Sequence, residues 1–248
     1  MIKIGLIGGS GLEKLNIFGD HEEIIVETPY GPPSSSFFRG TTGNCEVFIL
    51  SRHGRDHSIT PSKVNNRANL HALKALGCSR IIATTACGSL REEIRRGDIV
   101  IPDQFIDFTY HRINTFFDTF IPGALGHTAM ADPFSDELRR LLSEIAAELK
   151  LPFHSKGTVI TIEGPRFSTR AESMMFRSWG ADIINMSIAP EAALANEAGI
   201  PYAVIALSTD YDSWKHDEEP VTWENVLKVF EENVKHVTAL LVRMLEKL

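Results

Sequence analysis

The sequence predicts an α/β fold, with a mixed, mostly parallel sheet flanked by helices in a single domain over residues 1–248. Apolar runs of strand length alternate with segments of helical period. Several of those runs are apolar throughout, as strands covered on both faces must be. The strand candidates are Ile2–Ile7, Cys45–Leu50, Arg80–Thr84, Asp98–Ile101, Gly157–Ile162, Asp182–Met186 and Tyr202–Leu207. The helix candidates are Asn66–Leu76, Ser135–Leu149, Thr169–Trp179, Pro190–Ala198 and Thr222–Leu248. Thr169 and Glu172 have capping-box spacing, Pro190 suits the first helical position, and Gly77, Gly180 and Gly199 stand just past helix ends. No internal repeat or low-complexity tract breaks the pattern. One long stretch, Phe108–Pro133, lacks a clear period and carries Tyr110, His111, Phe116, Phe117, Phe120 and His127. A segment of that kind in a compact domain is usually a functional loop or an interface. Here it is expected to meet a neighbouring subunit.

Composition narrows the function classes. At 248 residues and 43% hydrophobic, the chain can bury a full core. The formal net charge of −7 argues against a nucleic-acid groove or an anionic membrane surface as partner. Local Arg, His and backbone N–H groups can still bind a nucleotide-sized anion. Cys45, Cys78 and Cys87 are odd in number and widely spaced, fitting neither a disulfide framework nor a zinc pattern. They read as small buried residues in a reducing compartment. The apolar run Ile2–Gly9 is too short for a signal-peptide core or a spanning helix. A soluble, cytoplasmic protein is expected.

Residues able to do chemistry cluster at strand ends, a common place for sites in open α/β sheets. Ser208-Thr209-Asp210-Tyr211-Asp212 sets two carboxylates two residues apart, able to accept hydrogen bonds from a ring amine or ring N–H. Taken alone, the same pattern also fits a solvated turn or a metal site. Gly8-Gly9-Ser10-Gly11 superficially suggests a dinucleotide loop, but Lys14 stands where the third glycine belongs, and no Gly-Lys-Ser/Thr follows. What remains is a turn whose N–H groups and hydroxyl suit an oxyanion, or a plain glycine turn. Ser51-Arg52-His53-Gly54-Arg55-Asp56-His57 offers a planar guanidinium fork and imidazoles for phosphate. His53 and His57 lie at a metal-binding helical spacing, but Gly54 and its polar neighbours read as a loop, so no metal is expected. Thr84-Thr85-Ala86-Cys87-Gly88-Ser89 and Asn185-Met186-Ser187 add hydroxyls and small residues at two more strand ends. Together these ends suggest an anion at one end of a pocket and a nitrogen heterocycle at the other. No nucleophile–base pair or cofactor loop is evident.

These blocks, with Leu90-Arg91-Glu92-Glu93-Ile94, Gly97-Asp98-Ile99-Val100 and Glu163-Gly164-Pro165-Arg166-Phe167-Ser168, resemble the 5′-methylthioadenosine phosphorylases of the purine nucleoside phosphorylase family. The resemblance extends over nearly the whole chain. It implies phosphorolysis of 5′-methylthioadenosine to adenine and 5-methylthio-α-D-ribose 1-phosphate, with inorganic phosphate as co-substrate and no cofactor. It also implies a homo-oligomer, trimer or hexamer, with no nucleic-acid or membrane partner. Phosphate would be held by Ser10, Arg52, His53, Thr85, the backbone of Ala86, and Ser187. Ser10 and Ser187 keep the hydroxyl of the threonine common in relatives. Met186 would lie against the ribose and Phe167 on the purine, with Asp210 and Asp212 facing N7 and the 6-amino group.

Asp210 is then the catalytic residue that serves the N7 proton. An exposed Asp has a pKa of about 3.9. Burial or a neighbouring carboxylate must therefore raise it, or Asp210 must stabilise a proton that the base already carries. A 6-oxopurine would call for a donor opposite O6, so the two acids favour adenine. By the same resemblance, Ser168, Trp223, Leu227 and, from an adjacent subunit, His127 would be the specificity residues, the last three around the 5′-methylthio group. Trp223 is bulkier than the aliphatic residue expected there, and Leu248 ends the chain short of the tail with which some relatives close that pocket. An apolar pocket rejects an added hydroxyl by only about 10²-fold. A purine nucleoside phosphorylase acting mainly on adenosine or other purine nucleosides is therefore the alternative. A nicotinamide-dependent oxidoreductase would need the missing glycine, and a non-catalytic nucleoside-binding protein would have no need of Arg52, His53 and Thr85.

Overall fold

The computed structural model describes residues 1–9, 21–120, 122–123, 126–218 and 221–248. In chain order these form β1 (Ile2–Gly8), β2 (Glu22–Ile24), β3 (Phe37–Thr42), β4 (Cys45–Ser51), α1 (Asn66–Ala75) and β5 (Arg80–Ser89). β6 (Ile99–Val100), β7 (Gln104–Phe108), α2 (Asp136–Glu148), β8 (Phe153–His154), β9 (Thr158–Ile162) and α3 (Arg170–Ser178) follow. β10 (Ile183–Asn185), α4 (Ile188–Ala198), β11 (Tyr202–Asp210) and α5 (Trp223–Lys247) complete the set. Four helices begin where a side-chain oxygen takes an otherwise unpaired backbone N–H. Asn65, Ser135, Thr169 and Thr222 accept from the N–H groups of Ala68, Leu138, Glu172 and Asn225. Thr169 and Glu172 make the full capping box. Gly199 closes α4 with φ of +70°, a conformation that side chains with a Cβ rarely adopt.

The eleven strands form one sheet, ordered β2-β3-β4-β1-β5-β10-β9-β7, with β11 paired to β5 and β6, and β8 to β6. Strand β5 organises it. Its residues Ile81–Gly88 pair with β11, while Arg80–Ala83 pair with β1 and Gly88–Ser89 with β10. Because β11 overlaps both other partners, β1 and β10 must share the opposite edge. Between them, Thr84–Cys87 have no strand partner on that edge among the described residues, and the sheet parts.

Both faces of the central strands are buried, so their side chains alternate between two cores. Phe48 and Leu50 of β4, with Tyr202, Val204 and Ala206 of β11, pack under α1 and α4. Val47 and Ile49, with Ala203, Ile205 and Leu207, pack under α2 and α5. A third cluster joins Ile160, Ile162 and Ile184 to Phe176 of α3 and to Trp214.

Several boundaries differ from the sequence reading. Strand β5 runs on to Ser89 and β11 to Asp210, because each supplies the other with a ladder through segments that read as loops. Strands β2, β3, β7 and β8 were not legible, being short or on partly exposed positions where apolar alternation fades. Helix α4 begins at Ile188, so Pro190 occupies its third position and not its first. A proline is tolerated there because the N–H groups of the first turn have no intrahelical partner to lose.

Leu73 of α1 is fully buried and fills the space left by Gly5 of β1, where an added Cβ would lie 2.9 Å from Leu73 Cδ2. Leu73→Ala should cost about 2–5 kcal/mol of unfolding free energy. Urea denaturation should show this as a lower midpoint, with the far-UV circular dichroism of the folded state preserved.

Candidate active site

The cavity lies where the sheet parts. One end gathers Gly9, Arg52, His53, Thr85, Ala86 and Ser187, the residues expected to bind an anion, from four separate segments. Arg52 follows β4, its N–H bonding the Gly8 carbonyl at 2.9 Å, and its side chain is 1% exposed. The guanidinium donates from Nη1 to the Thr84 carbonyl at 2.9 Å, and from Nε and Nη2 to the fully buried carboxylate of Glu191. A Cβ on Gly9 would lie 2.8 Å from Arg52 Nη1 and 3.1 Å from the Thr84 carbonyl. Gly9 is thus required by the arginine's packing, whatever else the turn binds. Nδ1 of His53 lies 2.9 Å from the Ile59 carbonyl, which can only accept, so Nδ1 carries the proton. The Thr85 and Ser187 hydroxyls are 3.4 Å apart. Ser187 is also the N-cap of α4, bringing the positive end of that helix to the same place. Ser10 lies outside the described residues.

The opposite end holds the two acids. Asp210 ends β11 and is 9% exposed, accepting hydrogen bonds from the Thr209 hydroxyl at 2.8 Å and the Asp212 N–H at 2.9 Å. Burial pushes its pKa above the usual carboxylate range, against the lowering effect of those bonds, and Asp212 adds to the rise. Asp212 accepts from the Ser168 hydroxyl at 2.6 Å, and burial raises its pKa too. Its φ of +42° is unusual for a residue with a Cβ and turns the chain sharply into the 3-10 turn Asp212–Trp214. Gly88 gives the acids room, since a Cβ there would come within 2.8 Å of Asp210 Oδ2. Cys87 also lines the cavity, and burial followed by the charge of Asp210 pushes its thiol well above its ordinary pKa.

Met186 and Phe167 form a further wall of the cavity. Met186 packs on Gly164, where φ is +65° and a Cβ would lie 2.5 Å from the sulfur. Arg112 reaches in from the long loop and fastens this wall, donating to the Met186 carbonyl at 3.0 Å and to Glu163 Oε1 at 3.1 Å. At the remaining side, the His53, His57 and Trp223 rings follow one another at centroid distances of 4.7 and 5.3 Å.

Two of the residues expected to set specificity fall outside this cavity. Val226 lines it where Leu227 was expected, because adjacent helical residues point about 100° apart. His127 is exposed beside Phe120 and does not line the cavity of its own chain. Sequence reading missed Glu191, Arg112 and Val226, and took His57 only as an imidazole for phosphate or metal and not as a ring packed beside Trp223. Only Glu191 left a signal, as a lone charge in the apolar run Ile188–Ala195. Such an acid must find a buried partner. Among the described residues there is no group of His, Cys, Asp and Glu able to hold a metal, and no helix long and apolar enough to cross a membrane.

The phosphorylase superfamily model matches residues 3–246. The chain belongs to that superfamily. Among the superfamily's curated members, the S-methyl-5′-thioadenosine phosphorylase of Xenopus tropicalis is 53% identical over 245 residues, covering 97% of this chain and 87% of the relative. The enzyme of the same name from Danio rerio is 52% identical over 244 residues, with the same coverage. A solved methylthioadenosine phosphorylase from Schistosoma mansoni, in complex with adenine, superposes with a TM-score of 0.94 at 42% identity. That match covers 99% of this chain and 91% of the other.

The raised pKa of Asp210 has a consequence for stability. A carboxyl that holds its proton more tightly when folded contributes stability below the unfolded pKa of about 3.9 and loses it as pH rises through the folded value. Asp210→Asn should therefore gain stability relative to the parent protein as pH climbs from acid to neutral. Urea unfolding of both proteins across that range checks this, and a constant or shrinking difference would count against it.

Proposed function

We propose that the protein is a 5′-methylthioadenosine phosphorylase, acting as a single domain over residues 1–248. The observation that carries this reading is the cavity with buried acids at one end and Arg52, His53 and hydroxyls at the other. The family and the names of the close relatives point the same way.

In this reading a phosphate oxygen attacks C1′ as the bond from C1′ to N9 breaks. The bonding pair passes into the purine, adenine leaves with a proton at N7, and 5-methylthio-α-D-ribose 1-phosphate forms with inversion. Arg52, His53, Thr85, the Ala86 N–H and Ser187 hold phosphate, with Ser10 from the preceding turn. Met186 supports the ribose, Phe167 covers the base, and Asp212, oriented by Ser168, accepts from the 6-amino group. Asp210 delivers the N7 proton. Its burial supports that role, since a proton held more tightly than by an exposed Asp is available nearer neutral pH. Trp223 and Val226 face the 5′-methylthio group, with His127 supplied by a neighbouring subunit. Phosphate is a co-substrate, and the chemistry calls for no cofactor.

A homo-oligomer, trimer or hexamer, follows from the need for His127. Exposed Phe117 and Phe120 beside it support a partner surface. Sedimentation should give a trimer or larger, and a fully active monomer would contradict the shared pocket. Purine and methionine salvage in the cytoplasm is the setting this reaction suits.

Release of the purine base should require phosphate and should favour methylthioadenosine, which yields adenine, over methylthioinosine, which yields hypoxanthine, by roughly 10⁴-fold, because a carboxylate opposite O6 meets only lone pairs. Asp210→Asn should lose most activity on the amino substrate while gaining relatively on the oxo substrate. Measuring kcat/KM for methylthioadenosine, adenosine and methylthioinosine, with and without phosphate, tests all of this. Equal rates on the amino and oxo substrates would sink the assigned roles of the acids.

A further inference from the structure

Glu191 is a puzzle on electrostatic grounds. It is a fully buried carboxylate within one side chain of the place assigned to an anion, and its charge opposes phosphate. Yet its contacts are those of a template. One oxygen takes Nε of Arg52, while the other takes Nη2 at 3.0 Å and the Tyr202 hydroxyl at 2.8 Å. Together with the bond from Nη1 to the Thr84 carbonyl and the close approach of Gly9, this leaves the guanidinium little freedom to rotate. The contacts come from α4, β11, β5 and the end of β1, so the arginine's orientation is fixed by the sheet itself. A planar fork directs its N–H groups only along the lines its plane allows.

On the reading of Arg52 as a phosphate ligand, we propose that Glu191 is a positioning residue for phosphorolysis, fixing the plane of the Arg52 guanidinium while cancelling its net charge. Phosphate is then held by oriented donors more than by excess positive charge. Orientation of the attacking group affects turnover, whereas net charge affects how tightly the anion is held. The two should therefore separate on mutation. Removing the negative charge leaves attraction for phosphate intact or greater, and releases the guanidinium plane.

Glu191→Gln keeps the shape but turns an amide N–H₂ towards a guanidinium that also only donates. In this variant kcat for adenine release should fall by about tenfold or more, as small errors of placement cost. The Kd for inorganic phosphate, by titration calorimetry, should stay within about threefold of the parent or tighten. Arg52→Ala should do the opposite, weakening phosphate binding. Tyr202→Phe, which removes one donor from Glu191, should lower kcat by about threefold at unchanged phosphate Kd. It decides the matter if Glu191→Gln does not fold by circular dichroism. A kcat within twofold of the parent in whichever of these variants decides, or a phosphate Kd weakened in parallel with Arg52→Ala, would overturn the positioning role. Those outcomes leave the proposed function standing. A parent protein that releases no adenine with phosphate would instead remove the function and this inference with it.

Discussion

A β-strand has two hydrogen-bonding edges, and β5 divides one of them between β1 and β10. The four residues between those ladders, Thr84–Cys87, are held on their other edge by β11 alone. Buried backbone groups must be paired, and at Thr84 the carbonyl is taken by the Arg52 guanidinium. The break in the sheet therefore creates the cavity and also calls for the arginine that furnishes one of its walls. Gly9 and Ser187 come into range because β1 and β10 flank the break, and Asp210 because β11 ends beside Gly88 on the other edge of β5.

Charge inside this gap is handled in local pairs. A chain of net charge −7 presents no general attraction for anions. Arg52 with Glu191 and Arg112 with Glu163 form ion pairs whose hydrogen bonds offset the cost of burial. Asp210 and Asp212, which make no ion pair among the described residues, are instead shifted towards their neutral forms by burial, with hydroxyl and N–H donors limiting the shift. The interior thus holds a fixed polar arrangement with little excess charge, the kind that needs little reorganisation when a substrate's charge shifts. Arg112 ties this interior to the aperiodic loop, so the segment that presents exposed aromatics also braces the Met186 wall.

The alternation of continuous apolar runs and helical segments made the central layers legible, because buried parallel strands such as Tyr202–Leu207 are apolar on both faces. Capping chemistry placed the start of α3 correctly, since Thr169 and Glu172 act over three residues without help from the rest of the fold. The strand Phe37–Thr42, between β2 and β4, was invisible because its ladders use backbone groups that leave no mark on side-chain pattern. Most candidate site residues lay in strand-end blocks and meet in one cavity, whereas Val226 and His57 depend on how a helix face and a loop are turned. Glu191 was hidden because its meaning depends on a residue 139 positions away.

Cys87 has a bearing on the selectivity of the reaction. It stands in the wall of a cavity proposed to expose an electron-poor sugar carbon, and a thiolate is a stronger nucleophile than a phosphate oxygen. Burial and the nearby carboxylate of Asp210 keep the sulfur protonated. A thiol in that state neither alkylates readily nor competes for C1′, so the chain can line its active site with a small polarisable atom without risking a dead-end thioglycoside. The same burial that favours a proton on Asp210 thereby silences a rival nucleophile.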